Sequence, residues 1–135
     1  MAIAALLVAV VPSSLEKLRE VSQYRDTVRA MVVDLRQARQ QAVVNGAPVI
    51  FRVNLADRQF GIEGQSFKKI PDSLEIKTTV GTSGASENTR HADITFMAEG
   101  GATGGTIELV RQSGAGVRLR VDWLFGLVTQ EPRQP

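Results

Sequence analysis

The chain has 135 residues, 43% of them hydrophobic, and sixteen basic against fourteen acidic side chains leave a net charge of +2. That length suits one domain plus an appendage with a modest core, and the small charge excess is spread along the chain, which gives little pull on a polyanion. Cysteine is absent, which excludes disulfides, thiolate catalysis and cysteine-ligated zinc.

The chain opens on an apolar run, Ala2–Val11, ended by Pro12. The run falls well short of the roughly 20 residues a helix needs to cross a bilayer. It reads either as a short interfacial segment or as what is left of a membrane helix whose first part is missing; we favour the second. A secretory signal peptide would need a basic stretch ahead of the run, and only Met1 stands there.

Ser13-Ser14-Leu15-Glu16 then fits a capping box, and the proline before it predicts a kink or restart at that point. Farther on, Val21, Tyr24, Val28, Met31, Leu35, Ala38 and Ala42 recur in alternating steps of three and four. That is one stripe along a helix, expected to pack against a sheet. Asn45-Gly46 followed by Pro48 stops the helix, because glycine takes the left-handed cap and proline cannot continue it. A helix over 13–45 is roughly 50 Å long at 1.5 Å per residue, more than the remaining chain can cover.

Beyond Gly46 the period falls from 3.6 to 2. Val49, Phe51, Val53 and Leu55 alternate with Ile50, Arg52 and Asn54, a turn follows at Ala56-Asp57-Arg58, and Gln59–Ile62 returns. Leu74–Val80 and Ile94–Phe96 are further strands, separated by a polar loop over Gly81–Asp93; Glu99–Gly105 is a glycine-rich connection. A final hairpin joins Thr106–Gln112 to Val117–Phe125 through Ser113-Gly114-Ala115-Gly116. Val117, Leu119, Val121, Trp123 and Phe125 are expected on its buried face, with Arg118, Arg120 and Asp122 on its wet face. The fold class is α+β: a long N-terminal helix whose apolar stripe covers an antiparallel β domain. The chain divides at 1–12, 13–45 and 46–135.

No catalytic constellation emerges, so the reading is not an enzyme and no cofactor or small-molecule substrate is expected. His91 is the single histidine, placed in a polar loop that could not hold a Ser–His–Asp relay. Metal-ligand spacings are missing. Gly100–Gly105 resembles a phosphate loop only until the strand pattern Thr106–Val110 follows it without a lysine. Arg111, Arg118 and Arg120 could form a small basic patch for a polyanion. Glu108 and Asp122 lie in the same hairpin and would neutralise much of it, which argues against nucleic-acid binding.

Several stretches resemble one family. Asp34-Leu35-Arg36-Gln37-Ala38-Arg39-Gln40-Gln41-Ala42 with Asn45-Gly46-Ala47-Pro48-Val49, then Ile94-Thr95-Phe96, Gly100–Ile107 and Val121–Val128, are similar in order and spacing to the GspH/FimT class of minor pseudopilins. The resemblance covers 2–128. It implies a structural subunit of the type II secretion pseudopilus acting in protein export, or else a type IV pilus minor pilin of pilus assembly or DNA uptake. A third reading is an unrelated periplasmic β domain with a signal anchor.

The resemblance also implies an inner-membrane anchor with the β domain in the periplasm, and other pseudopilin subunits as partners. Ile3, Leu6, Leu7, Val10 and Val11 would supply the membrane and filament-core surface, with Pro12 resembling the proline some twenty residues into the family's mature helix, so that Ala2–Val11 would be its second half. The family's cleaved basic leader has no counterpart in this sequence, which is expected of a trimmed or misassigned start. The arginine motif of DNA-uptake members has no match at Gly126-Leu127-Val128-Thr129, which favours the secretion role.

Overall fold

The computed structural model describes residues 2–80 and 90–133, with side chains from Leu15 onward. One helix, α1 (Ala2–Asn45), precedes eight strands: β1 (Val49–Asn54), β2 (Gln59–Ile62), β3 (Lys68–Lys69), β4 (Glu75–Val80), β5 (His91–Phe96), β6 (Gly105–Val110), β7 (Gly116–Val121) and β8 (Val128–Arg133). They form two antiparallel four-stranded sheets, ordered β3-β2-β1-β5 and β4-β6-β7-β8.

The helix corrects one expectation. It runs without interruption through Pro12 and Ser13, so Ser13 lies inside the helix and not at its start. Proline removes one donor and crowds the preceding turn, but a long helix absorbs that locally. At 44 residues α1 is about 66 Å long. Its other end behaves as the sequence indicates: Gly46 takes φ 64° and the Ala47 amide reaches back to the Ala42 carbonyl, the six-to-one bond of a glycine-terminated helix. Among the described residues no helix is long and apolar enough to cross a membrane.

From Thr27 onward the β domain covers one side of α1. Met31, Leu35, Ala38 and Ala42 are fully buried, Val28 nearly so, while Tyr24 and Val21 are half-buried at the margin. The helix rests on β1, β2 and β5 and touches β8. Period-two alternation brings the inner faces of both sheets into the same core: Phe51 and Val53 from β1, Phe60 and Ile62 from β2, Ile94 and Phe96 from β5, and Ile107, Leu109, Val117, Leu119 and Val121 from the β6–β7 hairpin. Ahead of Thr27 the helix is increasingly bare, with Leu15 and Leu18 exposed.

Three further expectations are revised. His91–Asp93 belong to β5 rather than to a loop, because β1 offers Arg52 and Asn54 as register partners for Asp93 and His91. Gly81–Thr89 of that expected loop lies outside the described residues. The last β7 residue is Val121, not Phe125, and β8 follows where no strand was expected. Val128–Arg133 mixes polar residues with a proline, so neither alternation nor propensity marks it as a strand. Its pairing with β7 holds it there.

Candidate assembly surface

The strand β7 ends because Asp122 starts a tight turn. Its Oδ2 accepts from the Phe125 amide at 2.9 Å, its carbonyl from the Gly126 amide at 2.9 Å, and its own amide donates to the Leu127 carbonyl at 3.0 Å. Such a side-chain-to-backbone bond replaces the next ladder bond and turns the chain out of the sheet. Two neighbours pin the turn from outside: the Ala102 amide donates to the Trp123 carbonyl at 2.9 Å, and Arg39 Nε of α1 donates to the Phe125 carbonyl at 2.9 Å.

Trp123, Leu124, Phe125 and Leu127 therefore point to solvent, with relative exposures of 68%, 54%, 59% and 53%. This reverses the expectation that Trp123 and Phe125 extend the buried face of β7. A hydrogen-bonded turn presenting four large apolar side chains, beside the exposed Val43 and Val44 of α1, is the kind of patch that marks a protein contact. Asp-Trp at a strand end was the available signal: aspartate caps turns, and an apolar residue after such a cap no longer follows the strand's alternation.

The three arginines proposed for a polyanion do not form one patch. Arg118 and Arg120 lie on the outer face of the β4-β6-β7-β8 sheet, where Lys77, Glu108, Arg118 and Glu131 stand opposite one another across all four strands. Arg118 Nε meets Glu108 at 3.0 Å, Arg133 Nε meets the other Glu108 oxygen at 2.8 Å, and Arg120 sits 3.5 Å from Glu131. Arg111 lies apart, past the end of β6, with its guanidinium 5.7 Å from the Tyr24 ring centre. Asp122 takes no part in neutralising them; it caps the turn instead. Across the other sheet, Arg52 makes a two-pronged pair with Asp93 at 2.9 and 3.0 Å, and Glu63 stands 3.8 Å away.

The Glu108 network gives a pH-dependent prediction. The Arg133 guanidinium holds the Glu108 carboxyl below the usual carboxylate range; partial burial opposes this and Arg118 reinforces it. With a folded pKa beneath the unfolded value of about 4.3, the stabilisation is complete above that value and disappears as pH falls through the folded pKa. Denaturant titrations should show Glu108→Gln less stable than the parent at neutral pH, the two converging as the pH falls through the folded pKa of Glu108. A gap that stays constant with pH would contradict this role.

His91 is half-buried at the start of β5, its Nε2 3.9 Å from Asp93 Oδ2. Gly100 and Gly104 take φ of 103° and 77° in the connection that docks on the Trp123 turn, and no lysine or helix start accompanies them. No group of side chains with metal-binding spacing occurs among the described residues.

Residues 27–124 match the family described as type II transport protein GspH. The chain belongs to the GspH family. It is 32% identical over 108 residues to the type II secretion system protein H of Xanthomonas campestris pv. campestris, a match covering 80% of this chain and 63% of that protein. This GspH-family chain thus spans less than two thirds of that relative's length.

Solved structures share its fold. The minor pseudopilin EpsH from the type II secretion system of Vibrio cholerae superposes with a TM-score of 0.64 at 11% identity, covering 84% of this chain and 97% of that one. The type IV minor pilin FimU of Pseudomonas aeruginosa gives 0.59 at 18% identity, covering 85% and 92%. The α+β arrangement of helix on antiparallel sheets is the one EpsH has.

Proposed function

We propose that this GspH-family chain is a minor pseudopilin, a structural subunit of the type II secretion pseudopilus that takes part in protein export. Family membership over residues 27–124 is the observation that carries this reading. In it, α1 is held in the inner membrane before assembly and later packs among the helices of neighbouring subunits, while the β domain stays in the periplasm. Ile3, Leu6, Leu7, Val10 and Val11 supply the transferable surface, and the stripe Val21–Ala42 fixes the helix to its own domain. A buried Leu or Val contributes about 1.5–3 kcal/mol against lipid or against protein, so exchange between the two is nearly neutral.

The test is a double substitution, Leu7→Lys with Val10→Lys, in the full-length gene of the native host. Each lysine costs on the order of 3 kcal/mol at the centre of a bilayer. Membrane retention and secretion into the medium should both collapse, while circular dichroism of the purified variant chain matches that of the parent. Normal secretion by the double variant would rule out the proposed role of this segment. A type IV pilus role is the second reading, supported by the likeness in fold to FimU. It expects micromolar, salt-sensitive DNA binding that is lost in Arg118→Ala/Arg120→Ala.

A further inference from the structure

Two sets of arginines contrast. On the sheets, arginines meet carboxylates: Arg52 with Asp93, Arg118 and Arg133 with Glu108, and Arg120 with Glu131. On α1, Arg25, Arg29 and Arg36 are exposed and meet no carboxylate among the described residues. They are not scattered. Arg25, Arg29, Val33, Arg36, Gln40 and Val43 follow in steps of four, four, three, four and three, a second helical stripe running beside the buried one.

That stripe borders open space. A groove of about 350 Å³ runs between α1 and Gln130 of β8, with Val28, Val32 and Val33 along it. A second, of about 450 Å³, runs between α1 and Gly126–Val128 and is lined by Val43, Val44 and Leu127. The two meet at Arg36. From Arg25 to Val44 the seam follows about 28 Å of helix, and the exposed Trp123 turn stands at its far end.

We propose that this seam between α1 and β8 docks a helix of another protein, one with an apolar strip edged by carboxylates. The apolar residues supply contact area, and the arginine stripe supplies charge complementarity at helical intervals. The exposed Val33, Val43, Val44 and Leu127 suit such an occupant and not a nucleic-acid backbone, which would bring phosphates against them. The assembly reading enters only through the expectation of a protein partner. Ile3–Val11 lies well outside the seam, so either proposal can fail while the other stands.

The test titrates the full chain with a synthetic helical peptide of about five turns, leucines on one face and glutamates along its edge. Trp123, the single tryptophan, reports binding by fluorescence. Saturable binding is expected, weakened about tenfold or more in Arg29→Glu/Arg36→Glu. A lysine-edged peptide should show the opposite order, preferring the double variant. Thermal unfolding of the variant should match the parent, since both positions are exposed. The proposal is overturned by lack of saturation, by equal affinity for both peptides, by a short DNA duplex displacing the peptide through the same arginines, or by concentration-dependent self-association that Arg29→Glu/Arg36→Glu abolishes.

Discussion

Leu35→Ala should lower the stability of the folded chain by about 2–5 kcal/mol, seen as an earlier midpoint at unchanged slope in urea. Leu35 is fully buried between Met31 and Ala38 at the centre of the contact between α1 and the sheets. Its removal takes away apolar burial and leaves a hole that a helix backed by both sheets cannot close. The same change at Leu18, which is 68% exposed, should be nearly silent. A loss below about 1 kcal/mol at Leu35 would mean that the helix does not depend on this packing for its place.

Gly126→Ala is the second large effect. Gly126 sits at φ 66°, and an added Cβ would lie 2.5 Å from the Gly100 carbonyl oxygen. Neither the left-handed backbone nor the opposing strand connection can yield without shifting the turn, which costs on the order of 1–3 kcal/mol. Because Asp122, Arg39 and Ala102 all hold that turn, Trp123 must change its surroundings when the turn moves. Tryptophan emission and near-ultraviolet dichroism should report it. Native spectra together with native stability would show the glycine to be dispensable. Gly64 offers the contrast: its φ is 90° but nothing lies within 4 Å of an added Cβ, so only the backbone term remains.

How far the fold was legible follows from these same positions. The helix stripe, its glycine stop, the β1–β2 and β6–β7 hairpins and the neutralising Glu108 rest on local patterns, and local patterns survive folding. The uninterrupted passage through Pro12 did not read out, since a capping motif looks the same whether or not a helix already runs through it. Nor did β8, whose Pro132 and polar neighbours are strand only by pairing with β7. The Trp123 turn misled because five alternating apolar residues look like one face, although the aspartate between Val121 and Trp123 was the cue that the face ends. Arg25, Arg29 and Arg36 were visible as residues; that they meet no carboxylate among the described residues, while Arg52, Arg118, Arg120 and Arg133 of the strands do, needs three dimensions.

The outer borders of the two sheets carry a last implication. One is β3, two lysines long; the other is β8, interrupted by Pro132, while β4 and β5 lie against each other. Short, cationic or proline-broken margins deny an incoming strand a continuous row of partners. Neither border therefore offers a neighbouring copy a template for edge-to-edge strand addition.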